Sequence, residues 1–153
     1  ITKEKKIEKL KTIALETVDI KGIGMYTLGP IRKSLSENEK ITYNSLFKNY
    51  FLKSFSDRLA EYTNPEIDVL DKKVLNENYT IVNSILKAKG DRPEIKIDWR
   101  IYTKDPGNPL IRDLIIEGLS LARTQKEEFS SILSSNNDDI NFLFDALKKF
   151  SQN

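Results

Sequence analysis

The amino-acid sequence predicts an α+β domain, with helices at both ends of the chain and a curved antiparallel sheet between them. Three observations carry that prediction. Apolar residues recur at three- and four-residue steps through the first sixty-odd positions. From Glu66 to Glu117 the period drops to two, in runs separated by Asn-, Gly- and Pro-rich turns. After Gly118 the helical period returns and holds to the end of the chain.

Residues 3–18 (KEKKIEKLKTIALETV) place Ile7, Leu10, Ala14 and Val18 on one helical face, with lysines between them. The next segment, DIKGIGMYTLGP, carries three glycines and predicts a short helix ending near Gly29-Pro30. Its Gly22-Ile23-Gly24 is not a dinucleotide fingerprint. Thr27 stands where a third glycine is needed, and a helix precedes it rather than a strand. These glycines read instead as close packing or helix ends. Ser36-Glu37-Asn38-Glu39 forms a capping box, in which serine and glutamate satisfy each other's backbone N–H groups. The helix it starts should run to about Tyr62, before Asn64-Pro65. Its apolar stripe is Tyr43, Leu46, Phe47, Tyr50, Phe51, Phe55, Leu59 and Tyr62. A stripe so rich in rings suits a wide surface facing a sheet.

Four strands are expected next: EIDVLD, NYTIVNSILKA, PEIKIDWRIYTK and LIRDLIIE. The third is the cleanest, with Ile95, Ile97, Trp99 and Ile101 on one face and Lys96, Asp98, Arg100 and Tyr102 on the other. Short links between successive strands imply an antiparallel meander. Gly118 ends the last strand and Ser120 caps the following helix. That helix buries Leu121, Phe129, Ile132 and Leu133, and Asn136-Asn137 breaks it. A final helix, DDINFLFDALKKF, opens with acids and closes with lysines, as the helix dipole favours. Ile140, Leu143, Phe144, Leu147 and Phe150 form its inner face.

Composition excludes several function classes. The 153 residues make one domain by size, 1–153. Histidine and cysteine are both absent, which removes disulfides, Cys/His zinc sites, thiolate nucleophiles and Ser-His-Asp triads. A net charge of +2, from 25 basic and 23 acidic residues, is too balanced for a nucleic-acid footprint. No apolar run reaches membrane-spanning length. The chain opens at Ile1 rather than Met, which leaves room for an upstream segment.

The stretch IRDLIIEGLSLARTQKEEFSSIL resembles the most characteristic segment of the MlaC, or toluene-tolerance, family. That segment is a strand with Asp, several aliphatics, Glu-Gly-aliphatic-Ser and then a helix reaching an aromatic. Asp113, Glu117, Gly118, Ser120 and Phe129 occupy those places. TLGPIRKSLSENEK is similar to the family's Leu-Gly turn before its long helix. FLKSFSDRLAEY is similar to that helix's second half, and IKIDWRIYTK to the strand where aspartate precedes an aromatic. The resemblance spans Asp19 to Phe150; Pro30, Pro109 and Lys126 depart from the pattern.

The resemblance implies a periplasmic phospholipid carrier on a cone-shaped fold of the cystatin/nuclear-transport-factor-like class. Such a carrier holds acyl chains in an apolar cavity between sheet and helices. Its expected partners are phospholipid, an inner-membrane ABC transporter complex and an outer-membrane lipoprotein–porin complex of the maintenance-of-lipid-asymmetry system. Nucleic acid is not expected, nor any cofactor beyond the lipid cargo, and the chain should act as a monomer rather than as an enzyme. A periplasmic location further implies a signal peptide outside this sequence.

The candidate lipid wall is Val82, Leu86, Ile97, Trp99, Ile101, Ile111 and Ile115 from the strands. Phe51 and Phe55 close it from the long helix, and Leu119 from the strand–helix junction. Pattern alone does not give strand register, so Ile81, Ile85, Leu114 and Ile116 form the alternative lining. Lys3, Lys5, Lys6, Lys9 and Lys11 make a basic helix face, read as solvation or as docking to anionic headgroups. Asp113 and Glu117 read as acceptors for nearby backbone N–H groups. Two rival readings are an enzyme using Asp98 or Asp113 as general base in an apolar pocket, and a protein–protein adaptor docking through an exposed apolar patch.

Overall fold

The computed structural model describes residues 2–62 and 65–152. Asn64, half of the expected helix-ending Asn-Pro pair, lies outside the described residues. In chain order the elements are α1 (Lys3–Thr17), α2 (Ile20–Leu28), a 3-10 turn (Gly29–Lys33) and α3 (Glu37–Ala60). Four long strands follow: β1 (Ile67–Val74), β2 (Tyr79–Leu86), β3 (Ile95–Tyr102) and β4 (Leu110–Ile116). A two-residue β5 (Leu119–Ser120), α4 (Leu121–Ser134) and α5 (Ile140–Gln152) complete the chain. The strands pair antiparallel in simple sequence order, β1-β2-β3-β4-β5. This is the α+β meander that the change of period predicts.

The helices build one continuous core, in which Ala14, Val18, Ile23, Leu28, Tyr43, Phe47, Phe129, Leu143 and Leu147 are buried. Ser36 and Glu39 form the predicted reciprocal box at the start of α3, with bonds of 3.1 and 2.9 Å. Gly24 is a packing glycine: a β-carbon there would stand 2.8 Å from the Phe47 ring. Pro30 enters the 3-10 turn directly after Gly29, whose φ of 68° redirects the chain.

Three expectations change. Only Tyr43 and Phe47 of the α3 stripe are fully buried, and a second line, Leu52, Ser56 and Ala60, is buried as well. Two of those three are too small or too polar to register as a hydrophobic stripe. Their small size suits the close association of α1 with α3. Ser56 satisfies its hydroxyl on the Leu52 carbonyl at 2.6 Å. Phe150, expected on the inner face of α5, is 38% exposed; it packs on Tyr50 at 4.7 Å instead. Gly118 does not simply end a strand. Glu117 and Gly118 both take positive φ, 51° and 82°, so the chain reverses in a two-residue turn and Leu119–Ser120 pairs back on β4.

Candidate functional site

Register divides the sheet into two chemically distinct faces. On β2 and β3, Val82 pairs with Trp99, Ser84 with Ile97, Thr80 with Ile101 and Leu86 with Ile95. These residues share one face, because side chains alternate along a strand. Thr80, Ser84 and Leu86 are buried there, whereas the exposed Lys96 and Arg100 lie on the opposite face. Ile111, paired with Ile101, packs against the helical core. The apolar face is therefore the one turned toward the helices.

β4 divides its candidate residues between the two faces. A bulge interrupts its register with β3, so Arg100 faces Asp113 while the next residue, Ile101, faces Ile111. Arg112 is the extra residue, and parity inverts across it. Ile111 stays on the apolar face with Val82, Leu86, Ile97, Trp99 and Ile101, but Ile115 moves to the polar face opposite Asp98. Leu114 and Ile116, from the alternative lining, take the apolar face instead, opposite Trp99 and Ile97. Ile81 and Ile85 stay on the polar face, opposite Arg100 and Lys96. Leu119 pairs with Ile116 and so belongs to the apolar face, at a rim where it is 58% exposed.

The middle of this face, Val82, Ile97, Trp99, Ile101, Leu114 and Ile116, is only half-buried and stands apart from the helical core. Its polar atoms are internally satisfied. Trp99 Nε1 donates to Ser84 Oγ at 2.8 Å, and Ser84 donates to the Ile97 carbonyl at 2.7 Å. On α3, the Phe51 and Phe55 rings stack at 5.7 Å against the edge of the core.

The opposite face is polar and tied down. Asn83 donates to Asp98 at 2.8 Å, and Arg100 lies over the Tyr79 ring at 4.2 Å. Arg112 bonds Asp19 at 2.8 Å and Tyr79 Oη at 2.7 Å, and it covers the Tyr102 ring at 4.0 Å. Burial works against the Arg112 charge, yet these bonds outweigh it and hold its pKa above the ordinary value.

Asp113 and Glu117 do what their position in the sequence suggests. Asp113 accepts from the Leu114 and Ala122 N–H groups, at 2.8 and 3.0 Å, and from the Ser120 hydroxyl. Ser120 in turn accepts from Arg123 N at 3.1 Å, which caps α4. Glu117 accepts from Lys96 N at 2.5 Å. The spacing Asp-x6-Ser is thus a strand-to-helix clasp. Among the basic residues of α1, Lys6 is structural: its Nζ donates to the Ala60 and Tyr62 carbonyls at 3.0 and 2.5 Å, closing the end of α3. Among the described residues no group of three or more acidic side chains could hold a metal ion, and no helix is long and apolar enough to cross a membrane.

A family model described as MlaC protein matches residues 1–149 of the chain. Among solved structures, a phospholipid-binding protein from Ralstonia solanacearum, determined in complex with a phospholipid, matches with a TM-score of 0.79. The match covers 98% of this chain and 84% of that one at 17% identity, which establishes a shared fold.

Proposed function

This chain belongs to the MlaC family, and from that premise we propose that it is a phospholipid carrier whose acyl-chain wall is the helix-facing side of the sheet. The supporting observation is the chemistry of that side. Val82, Ile97, Trp99, Ile101, Leu114 and Ile116 form a continuous apolar surface that the helical core leaves half-buried. In this reading Phe51 and Phe55, stacked on each other on α3, close it from the helical side, and the exposed Leu119 forms its rim. The solved structure with a bound phospholipid shares this fold.

The energetics suit a carrier rather than a sink. Each methylene leaving water gains roughly 0.8 kcal/mol, so a chain of about fifteen gains about 12 kcal/mol. A bilayer offers a similar gain, and transfer between membrane and wall is then close to neutral. The phosphate stays in water at the mouth, because burying it unpaired is costly. Direction comes from partners: in the periplasm, an outer-membrane lipoprotein–porin complex on one side and an inner-membrane ABC transporter on the other.

The test combines lipid extraction with register. Organic extracts of the purified protein should contain phospholipid by mass spectrometry. Trp99→Glu should lower its occupancy at least about tenfold, since one buried charge costs more than the 1.4 kcal/mol that factor represents. Ile85→Glu, on the far face opposite Lys96 and outside that surface, should leave occupancy unchanged. Empty extracts from the unsubstituted protein, or equal losses in both variants, would overturn the assignment.

A further inference from the structure

The polar face of the sheet holds a recess of about 510 Å³ between α2, β4 and the start of α4. Ile23 and Ile115 line its apolar part, and Arg100, Arg112 and Arg123 line its cationic part. The two carboxylates nearby are already committed. Asp19 takes Arg112 on one oxygen and Gly22 N on the other, at 2.8 and 3.0 Å. Asp113 is spent on Leu114, Ala122 and Ser120.

The other two arginines keep donors to spare. Arg100 is positioned by stacking on Tyr79 at 4.2 Å and has no carboxylate partner among the described residues. Arg123 meets Glu127 at 3.4 Å with both side chains largely exposed, a surface pair of little strength. The first N–H groups of α4 are occupied by Asp113 and Ser120, so recognition in the recess falls to the guanidinium side chains.

We infer that this recess binds a phosphate-class oxyanion, free or carried by a lipid headgroup, with Arg100 and Arg123 as its ligands and Arg112 as a fixed positive charge beside them. Planar guanidinium forks match oxyanions in bidentate geometry. The volume lies within the range of small-molecule sites, and an apolar part beside a cationic one suits an anion with an organic group attached. Its strand residues Arg100 and Ile115 lie on the sheet face opposite the proposed acyl-chain wall.

Calorimetric titration at fixed ionic strength tests it with three probes: inorganic phosphate, glycerol 3-phosphate and dihexanoyl phosphatidylglycerol below its micelle concentration. At least one should bind saturably, and Arg100→Gln with Arg123→Gln should weaken that binding tenfold or more. Circular dichroism and retained co-purified lipid would show that the variant is folded. Equal binding of the first two probes and the lipid supports a free-anion site. Binding of the lipid alone, lost in the double variant, supports a headgroup site. Failure of all three probes, or affinity unchanged by the double substitution, overturns the inference. So does lipid binding that survives the double variant and disappears in Trp99→Glu.

Discussion

Tyr43 and Gly24 show how single residues define the helical core. The Tyr43 hydroxyl sits at 2.8 Å from that of Thr27, both residues fully buried, and Thr27 also bonds the Gly24 carbonyl at 2.7 Å. Burial pushes the Tyr43 pKa well above its ordinary 10.0. The neutral phenol is therefore the folded form, while the unfolded chain ionises once pH passes about 10. Stability should be insensitive to this group below that pH. Above it, stability should fall by up to about 1.4 kcal/mol per pH unit until the folded phenol also titrates. Tyr43→Phe should cost about 1 kcal/mol at neutral pH, by leaving Thr27 one partner short. Denaturant melts at pH 8 and pH 11 should then show a smaller alkaline loss in the variant than in the unsubstituted protein. Gly24→Ala drives a methyl group into the Phe47 ring at 2.8 Å and should cost roughly 1–3 kcal/mol, read as a lower denaturant midpoint.

At the scale of elements, junctions matter more than interiors. The Asp113–Ser120 clasp joins β4 to α4 across a two-residue reversal, and one carboxylate serves three donors. Asp113→Ala strands those donors in a half-buried site and should lower stability by roughly 2–3 kcal/mol, measured by urea denaturation with an unchanged slope. Ser36→Ala removes only one half of the α3 capping box and should cost about 1 kcal/mol in the same measurement. The capping box and the clasp residues were both legible in sequence, because caps and turns depend on neighbours within a few positions. β5 was not. Two residues carry no period, and only the positive φ of both Glu117 and Gly118 reveals the hairpin. The line Leu52-Ser56-Ala60 was equally hidden, since a small residue buried by a neighbouring helix looks like a surface residue in sequence.

For the whole molecule, separation of chemistry onto two sheet faces is the organising fact. One side carries the apolar residues proposed to hold acyl chains; the other carries the arginine and tyrosine cluster. The contrast between Trp99→Glu and Ile85→Glu is a prediction at this scale, because those residues lie on opposite sides of the sheet. The sequence by itself determined the helix–meander–helix order, the capping box, the use of Asp113 and Glu117 as acceptors for backbone N–H groups, and the family. Each of these rests on local periodicity or on a short motif. Only the tertiary structure decided which aliphatics of β4 share the sheet face of Trp99. A single extra residue at Arg112 inverts side-chain parity there, and a bulge is defined by pairing with a partner strand rather than by anything within the strand itself. The recess on the polar face was decided the same way, since Arg100, Arg112 and Arg123 come together only when β3, β4 and the start of α4 are folded side by side.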